Sequence, residues 1–143
     1  MVFLSGVWAS WGCSQPALIR PKVLKPGDQV ALLASASGVP AMSDIQFAKH
    51  QLQMLGLRVK LGRAVYDQVG YLAGTDQARA DDLNQAFMDP NIKAIFEVRG
   101  GWGSGRILPF LNYDVIKHHP KIIMGYSVIT SLLLAIHQKT GLV

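Results

Sequence analysis

Cysteine is almost missing from this chain: Cys13 is the only one in 143 residues. That excludes an internal disulfide and a cysteine-rich metal site, and no His/Cys cluster offers ligand spacing either, so no metal or cofactor is expected. Charge is also scarce, at 16% of residues against 50% apolar. Such a balance excludes a disordered chain and supplies a core for one domain. No apolar run reaches the ~20 residues of a spanning helix, so no membrane span is expected. Dense basic clusters are absent as well. The net charge is +5, but lysines and arginines are scattered singly, with nothing denser than Arg20-Pro21-Lys22 and no interleaved aromatics. This is an ordinary basic surface, and no nucleic-acid partner is expected.

Residues 1–20 read as an apolar extension ahead of a domain at 21–143. Val2 to Trp11 is apolar but lacks the positive start of a signal peptide. Gly12-Cys13 loosely resembles a lipoprotein cleavage site, with Trp11 a poor fit before it. Two readings stay open for residues 1–15, the remnant of an export signal or an extension from a misplaced start. A cytoplasmic location is expected, with export the alternative under the first of these.

From Lys25-Pro26-Gly27-Asp28, a turn signal, short apolar runs alternate with helical patterns. Strands are predicted over 29–34, 57–61, 92–98 and 121–124. Helices are predicted over 41–55, closed by Gly56, and from the N-cap Thr75 to Met88, stopped by Asp89-Pro90. Short helical pieces are predicted over 107–111 and 115–119. Ile129, Leu132, Leu133 and Ile136 then recur at i, i+3, i+4 and i+7, a helix with one face on a sheet. This alternation implies an α/β fold: a flavodoxin-like, doubly wound, mainly parallel sheet with helices on both faces. Its crevice would lie at the carboxyl ends of the strands, where loops 35–38, 99–105 and 125–128 meet.

Two of these loops could carry chemistry. Lys121 to Thr130 is an apolar run, then Gly125-Tyr126-Ser127, then a helical pattern. That is the layout of a nucleophile elbow, although the second glycine of G-x-S-x-G is missing. A serine in this position also reads as a helix N-cap. The loop Arg99-Gly100-Gly101-Trp102-Gly103-Ser104-Gly105-Arg106 admits three readings. Gly100 and Gly105 have phosphate-loop spacing, but Arg106 and Ile107 replace the lysine and the hydroxyl that nucleotide binding requires. Its glycine amides could instead face Ser127 as an oxyanion hole. The third reading is a plain glycine turn. Glu97 sits beside this loop and could face the crevice or a neighbour, whereas Asp81-Asp82 reads as a solvated helix face.

The loops and their flanks together resemble the LD-carboxypeptidase family of muramoyl-tetrapeptide carboxypeptidases and microcin-C immunity peptidases. The residues concerned are Leu24 to Asp28, Ala73-Gly74-Thr75-Asp76, Arg79 with Asp82-Leu83-Asn84, and Ala94-Ile95-Phe96. Arg99 to Ser104, Arg106 to Pro109, and Pro120-Lys121 through Gly125-Tyr126-Ser127 continue the series in order. The resemblance implies a serine peptidase with a Ser-Glu-His triad, releasing a terminal D-amino acid from a murein tetrapeptide or similar small peptide. By position, Ser127 is similar to the nucleophile, and the amides of Gly101 and Val128 are similar to the oxyanion donors. Gly100, Trp102 and Tyr126 line the implied substrate crevice. A homodimer is implied only for the full-length form.

Two departures accompany the resemblance. Val128 stands where the family has Asp, and the family's Glu and His belong to a C-terminal domain beyond the matched stretch. None of the four histidines replaces them by pattern. His137 is roughly 15 Å down the helix from Ser127 at ~1.5 Å per residue. His118 and His119 precede the strand at its far end, and His50 falls on an exposed helix face. The sequence therefore predicts the nucleophile domain of such an enzyme, acting as an inactive fragment. The alternative is a non-catalytic domain that binds cell-wall peptide.

Overall fold

Along the two central strands the apolar side chains alternate between two cores, as period-two geometry requires. In the computed structural model, which describes residues 17–143, the strands are β1 (Gln29–Leu33), β2 (Arg58–Leu61), β3 (Ile92–Glu97) and β4 (Ile122–Met124). Ala31, Leu33 and Ile95 face one core, while Val30, Leu32 and Ala94 face the other. The readings of residues 1–15, and most of the extension drawn at 1–20, fall outside the described residues. Ile19 does not: it bridges Leu142 in parallel and packs against the larger core.

All neighbouring strands pair in parallel in the order β2-β1-β3-β4. This is the flavodoxin-like doubly wound order, as predicted. Helix α1 (Met42–Met54) returns from β1 to β2, and its Leu52 joins the Val30 core. Helices α2 (Asp76–Met88), α3 (Tyr113–His118) and α4 (Thr130–Thr140) cover the other face through Leu83, Phe87, Ile116, Leu132 and Ile136. The chain crosses one way from β1 to β2 and the other way from β2 to β3, which with right-handed crossovers puts the helices on opposite faces. In sheets of this order the carboxyl ends of β1 and β3 are the switch point where ligands bind.

Local rules account for most boundaries. The Thr75 hydroxyl accepts from the Ala78 amide at 3.1 Å, the N-cap bond expected of threonine. Gly56 takes φ +78 just beyond α1. Two predictions needed correcting. The segment predicted as helical over 107–111 is a 3₁₀ helix over Ser104–Phe110 that contains Pro109. Asp82 is not a solvated residue. It is buried, and its Oδ2 accepts from the Ala64 amide at 2.8 Å, anchoring the turn Ala64–Tyr66 that follows β2. A carboxylate that satisfies a buried backbone donor cannot be told from a surface one by helical period alone.

Candidate active site

Three loops leave the carboxyl edge of the sheet, after β1, β3 and β4. The β1 loop begins with Ser35, which is held from both sides. Its amide and hydroxyl donate to the two carboxylate oxygens of Glu97, at 2.8 and 2.7 Å. Its carbonyl accepts from Arg79 Nη1 at 2.9 Å. Glu97 is the last residue of β3 and turns to this neighbour. Burial pushes its carboxyl up to about 7, against the opposing pull of the two Ser35 bonds.

Two residues on, the Ser37 hydroxyl accepts from the Trp102 amide at 2.9 Å and ties the β1 loop to the glycine loop. Gly101 has φ +115, and a methyl group there would lie 2.3 Å from Ser37 Oγ. Only glycine can take this backbone so close to the serine. Arg79 Nη1 also donates to the Gly103 carbonyl at 3.0 Å.

The glycine loop meets the β4 loop at Gly100. A methyl group on Gly100 would sit 2.9 Å from Ser127 Cβ and 3.3 Å from its Oγ, so the two backbones touch. Gly125 is equally crowded, 2.4 Å from Ile129 Cγ2 by the same measure. Ser127 itself has φ +59 and is the one non-glycine residue with positive φ among those described. An N-cap residue takes extended backbone angles and bonds the amides ahead of it. Ser127 does neither: its hydroxyl is exposed and engaged by no described residue. The left-handed conformation costs a non-glycine residue about 1–2 kcal/mol, and a strained strand-to-helix corner of this kind is what a nucleophile elbow requires. The turn runs first through a 3₁₀ piece, Ser127–Ile129, before α4 starts at Thr130.

Ser104 closes the far side. Its hydroxyl donates to the Val128 carbonyl at 2.7 Å, and Ser131 Oγ reaches the same oxygen at 2.9 Å. These two bonds fix the peptide that joins Val128 to Ile129. The Val128 amide belongs to the preceding peptide, at the start of the helical segment, where helix geometry offers it no carbonyl partner. Trp102 and Tyr126, one on each of the two loops that meet at Gly100, are 73% and 65% exposed.

The structure sets Gly100, of the loop that carries Gly101 and Trp102, against Tyr126 and Ser127, of the turn that carries Val128. In the sequence Ser35 and Ser37 stand only as part of a small-residue loop, and Arg79 and Ser104 only as part of the family resemblance; none of the four is assigned a holding role there. The small-residue loop at 35–38 was the visible signal for the first two. The histidines stay apart. His118 Nδ1 is bonded to Asp114 O, His137 Nδ1 to Leu142 O, and His119 caps α3 ahead of β4. Among the described residues no group of three His, Cys, Asp or Glu could hold a metal, and no helix is long and apolar enough to cross a membrane.

A parallel α/β domain with a strained serine beside a glycine loop at its strand ends defines the class. The chain belongs to the LD-carboxypeptidase family: residues 30–143 match the model of the LD-carboxypeptidase N-terminal domain. The Probable murein peptide carboxypeptidase of Bacillus subtilis is 48% identical over 124 residues, 87% of this chain and 39% of that protein. The microcin C7 self-immunity protein MccF of Escherichia coli is 36% identical over 132 residues, 91% of this chain and 38% of that one. A solved structure of MccF in complex with aspartyl sulfamoyl adenosine superposes with a TM-score of 0.81 at 36% identity, covering 88% of this chain and 38% of that chain. The chain thus spans about two-fifths of the length of these relatives.

Proposed function

We propose that this domain supplies the nucleophile and the oxyanion donors of a serine-type LD-carboxypeptidase that cleaves the amide bond to the terminal D-amino acid of a murein peptide. The reading rests on one observation, the exposed Ser127 at φ +59 pressed against Gly100 of the glycine loop. Ser127 Oγ attacks the carbonyl carbon and gives its proton to a base. The amides of Gly101 and Val128 receive the negative charge that develops on the carbonyl oxygen. The C–N bond then breaks, the D-amino acid leaves with the proton, and water hydrolyses the Ser127 ester. Gly100, Trp102 and Tyr126 form the walls against which the peptide lies. The murein substrate is carried over from the names of the relatives.

No histidine among the described residues is placed at Ser127, so the described residues offer no histidine as base for the first proton transfer. Incubated with a murein tetrapeptide, the chain is expected to release no D-Ala above a Ser127→Ala control, measured by coupled D-amino-acid oxidation. Ser127-dependent release would mean that the chain itself supplies a base to Ser127. The placement of the histidines also favours a second reading, a non-catalytic domain that binds cell-wall peptide in the same crevice. That reading requires peptide binding with no covalent chemistry at Ser127.

A further inference from the structure

We propose that Arg79 is a positioning residue for the crevice: its buried guanidinium sets the spacing between the β1 loop and the glycine loop, and so aims the Gly101 amide at the space in front of Ser127. The inference rests on the reading of that crevice as the reacting centre. Arg79 comes from α2, outside all three crevice loops, and its side chain is fully buried. A single nitrogen, Nη1, donates to the Ser35 carbonyl at 2.9 Å and to the Gly103 carbonyl at 3.0 Å. One atom thereby fixes a point on each of the two loops. Nη2 pairs with Asp76, whose other oxygen accepts from Arg106 Nε and Nη2 at 2.9 and 2.7 Å.

The bonds form one chain across the molecule. They run from Arg106 through Asp76, Arg79 and Ser35 to Glu97 on β3. Gly101 lies between two fixed points of its loop. On one side Gly100 is pressed on Ser127, and on the other the Gly103 carbonyl is held by Arg79. Between them the Trp102 amide is held by Ser37, two residues from the Ser35 carbonyl that Arg79 also grips. Loosening the Arg79 grip frees the Gly103 side of the loop and the Ser35 side of the β1 loop at once, leaving Gly101 restrained by Gly100 and the Ser37 bond alone.

A side chain kept only for stability would be better replaced by an apolar one, because burying a charge is costly and uncharged packing of equal volume often serves as well. A planar fork with several donors at fixed angles is what holding two carbonyls and a carboxylate requires. Lysine carries one nitrogen and can reproduce only part of this.

The test compares wild type with Arg79→Met and Arg79→Lys, all confirmed folded by circular dichroism. Exchange of the Trp102 amide is followed by NMR in the absence of denaturant, where local opening controls the rate. Arg79 does not touch this amide, so a role confined to its own contacts would leave it unmoved. The expected result is exchange faster by about tenfold or more in Arg79→Met, the loss of at least one charge-assisted hydrogen bond, with Arg79→Lys in between. Trp102 exchange within about twofold of wild type in Arg79→Met would overturn the proposal. So would failure of both variants to fold, which would make Arg79 a residue of general stability. Phosphonate labelling of Ser127 in the same samples keeps the two readings separate. A wild-type chain that fails to label counts against the proposed nucleophile, whereas the Trp102 result bears on Arg79 alone.

Discussion

Gly101→Ala is expected to lower stability by about 3 kcal/mol and to remove any reactivity of Ser127 that depends on the oxyanion donors. Two costs combine. The backbone at φ +115 lies outside the regions open to a residue with a side chain, a strain of about 1–3 kcal/mol. The new methyl would also lie 2.3 Å from Ser37 Oγ, a distance that forces the β1 loop and the glycine loop apart. Separation breaks the bond from the Trp102 amide to Ser37, worth about 1 kcal/mol more. Gly105→Ala is the matched control. Its nearest neighbour would be Ser131 Oγ at 3.9 Å, an ordinary contact, and a change within about 0.5 kcal/mol is expected. Urea denaturation of the two variants measures the difference. Equal effects would show that the glycine loop has no special tie to the β1 loop.

The second large effect concerns pH. Burial holds the Glu97 carboxyl at about 7, against 4.5 for an ordinary glutamate. The folded state therefore binds a proton that the unfolded chain releases between these two values. Stability from this group is fully present below about pH 4.5 and is lost as pH rises through 7. At about 1.4 kcal/mol per pH unit of separation, the loss amounts to about 3 kcal/mol by pH 8. Glu97→Gln removes the titration and can still accept from the Ser35 amide while donating to its hydroxyl. The variant is expected to be the more stable protein at pH 8, with the advantage shrinking toward pH 5. Urea midpoints at the two pH values test this. A wild type that gains on Glu97→Gln as pH rises would mean that Glu97 is ionised in the fold and held by an unrecognised positive group.

The sheet was legible because its signals are local and redundant. Val30 to Leu33 and Ala94 to Phe96 are short apolar runs, Thr75 and Gly56 mark helix ends, and the strand–helix alternation leaves parallel pairing as the natural solution. The crowded and strained backbone was legible at Ser127 and Gly100 to Gly101, where small residues follow a strand. What holds the site was not. Arg79 and Asp82 lie on a helix that also carries Asp76, Gln77, Asp81 and Asn84, so period alone gives an amphipathic helix and says nothing of which charged residue turns inward. Their burial depends on carbonyls and amides from segments 18 to 44 residues away in sequence. The partner of Glu97, Ser35, is 62 residues distant and becomes adjacent only through β1–β3 pairing. Ser127 shows the opposite case. Read alone, Gly-x-Ser before a helix suggests a cap, and the positive φ, invisible in the sequence, removes that reading.

The central claim is that Ser127 is a nucleophile, and the most direct measurement is mass-spectrometric mapping of a fluorophosphonate adduct on the 143-residue chain. Without a base the reaction should be slow, yet oxyanion donors alone retain about 10³-fold over water in enzymes of this kind. A single adduct on Ser127 is therefore predicted under prolonged labelling. It should be lost in Ser127→Ala and sharply reduced in Gly101→Ala. A folded chain that takes up no label, or takes it equally on Ser35, Ser37 or Ser104, would contradict the claim and leave the crevice as a place for binding only.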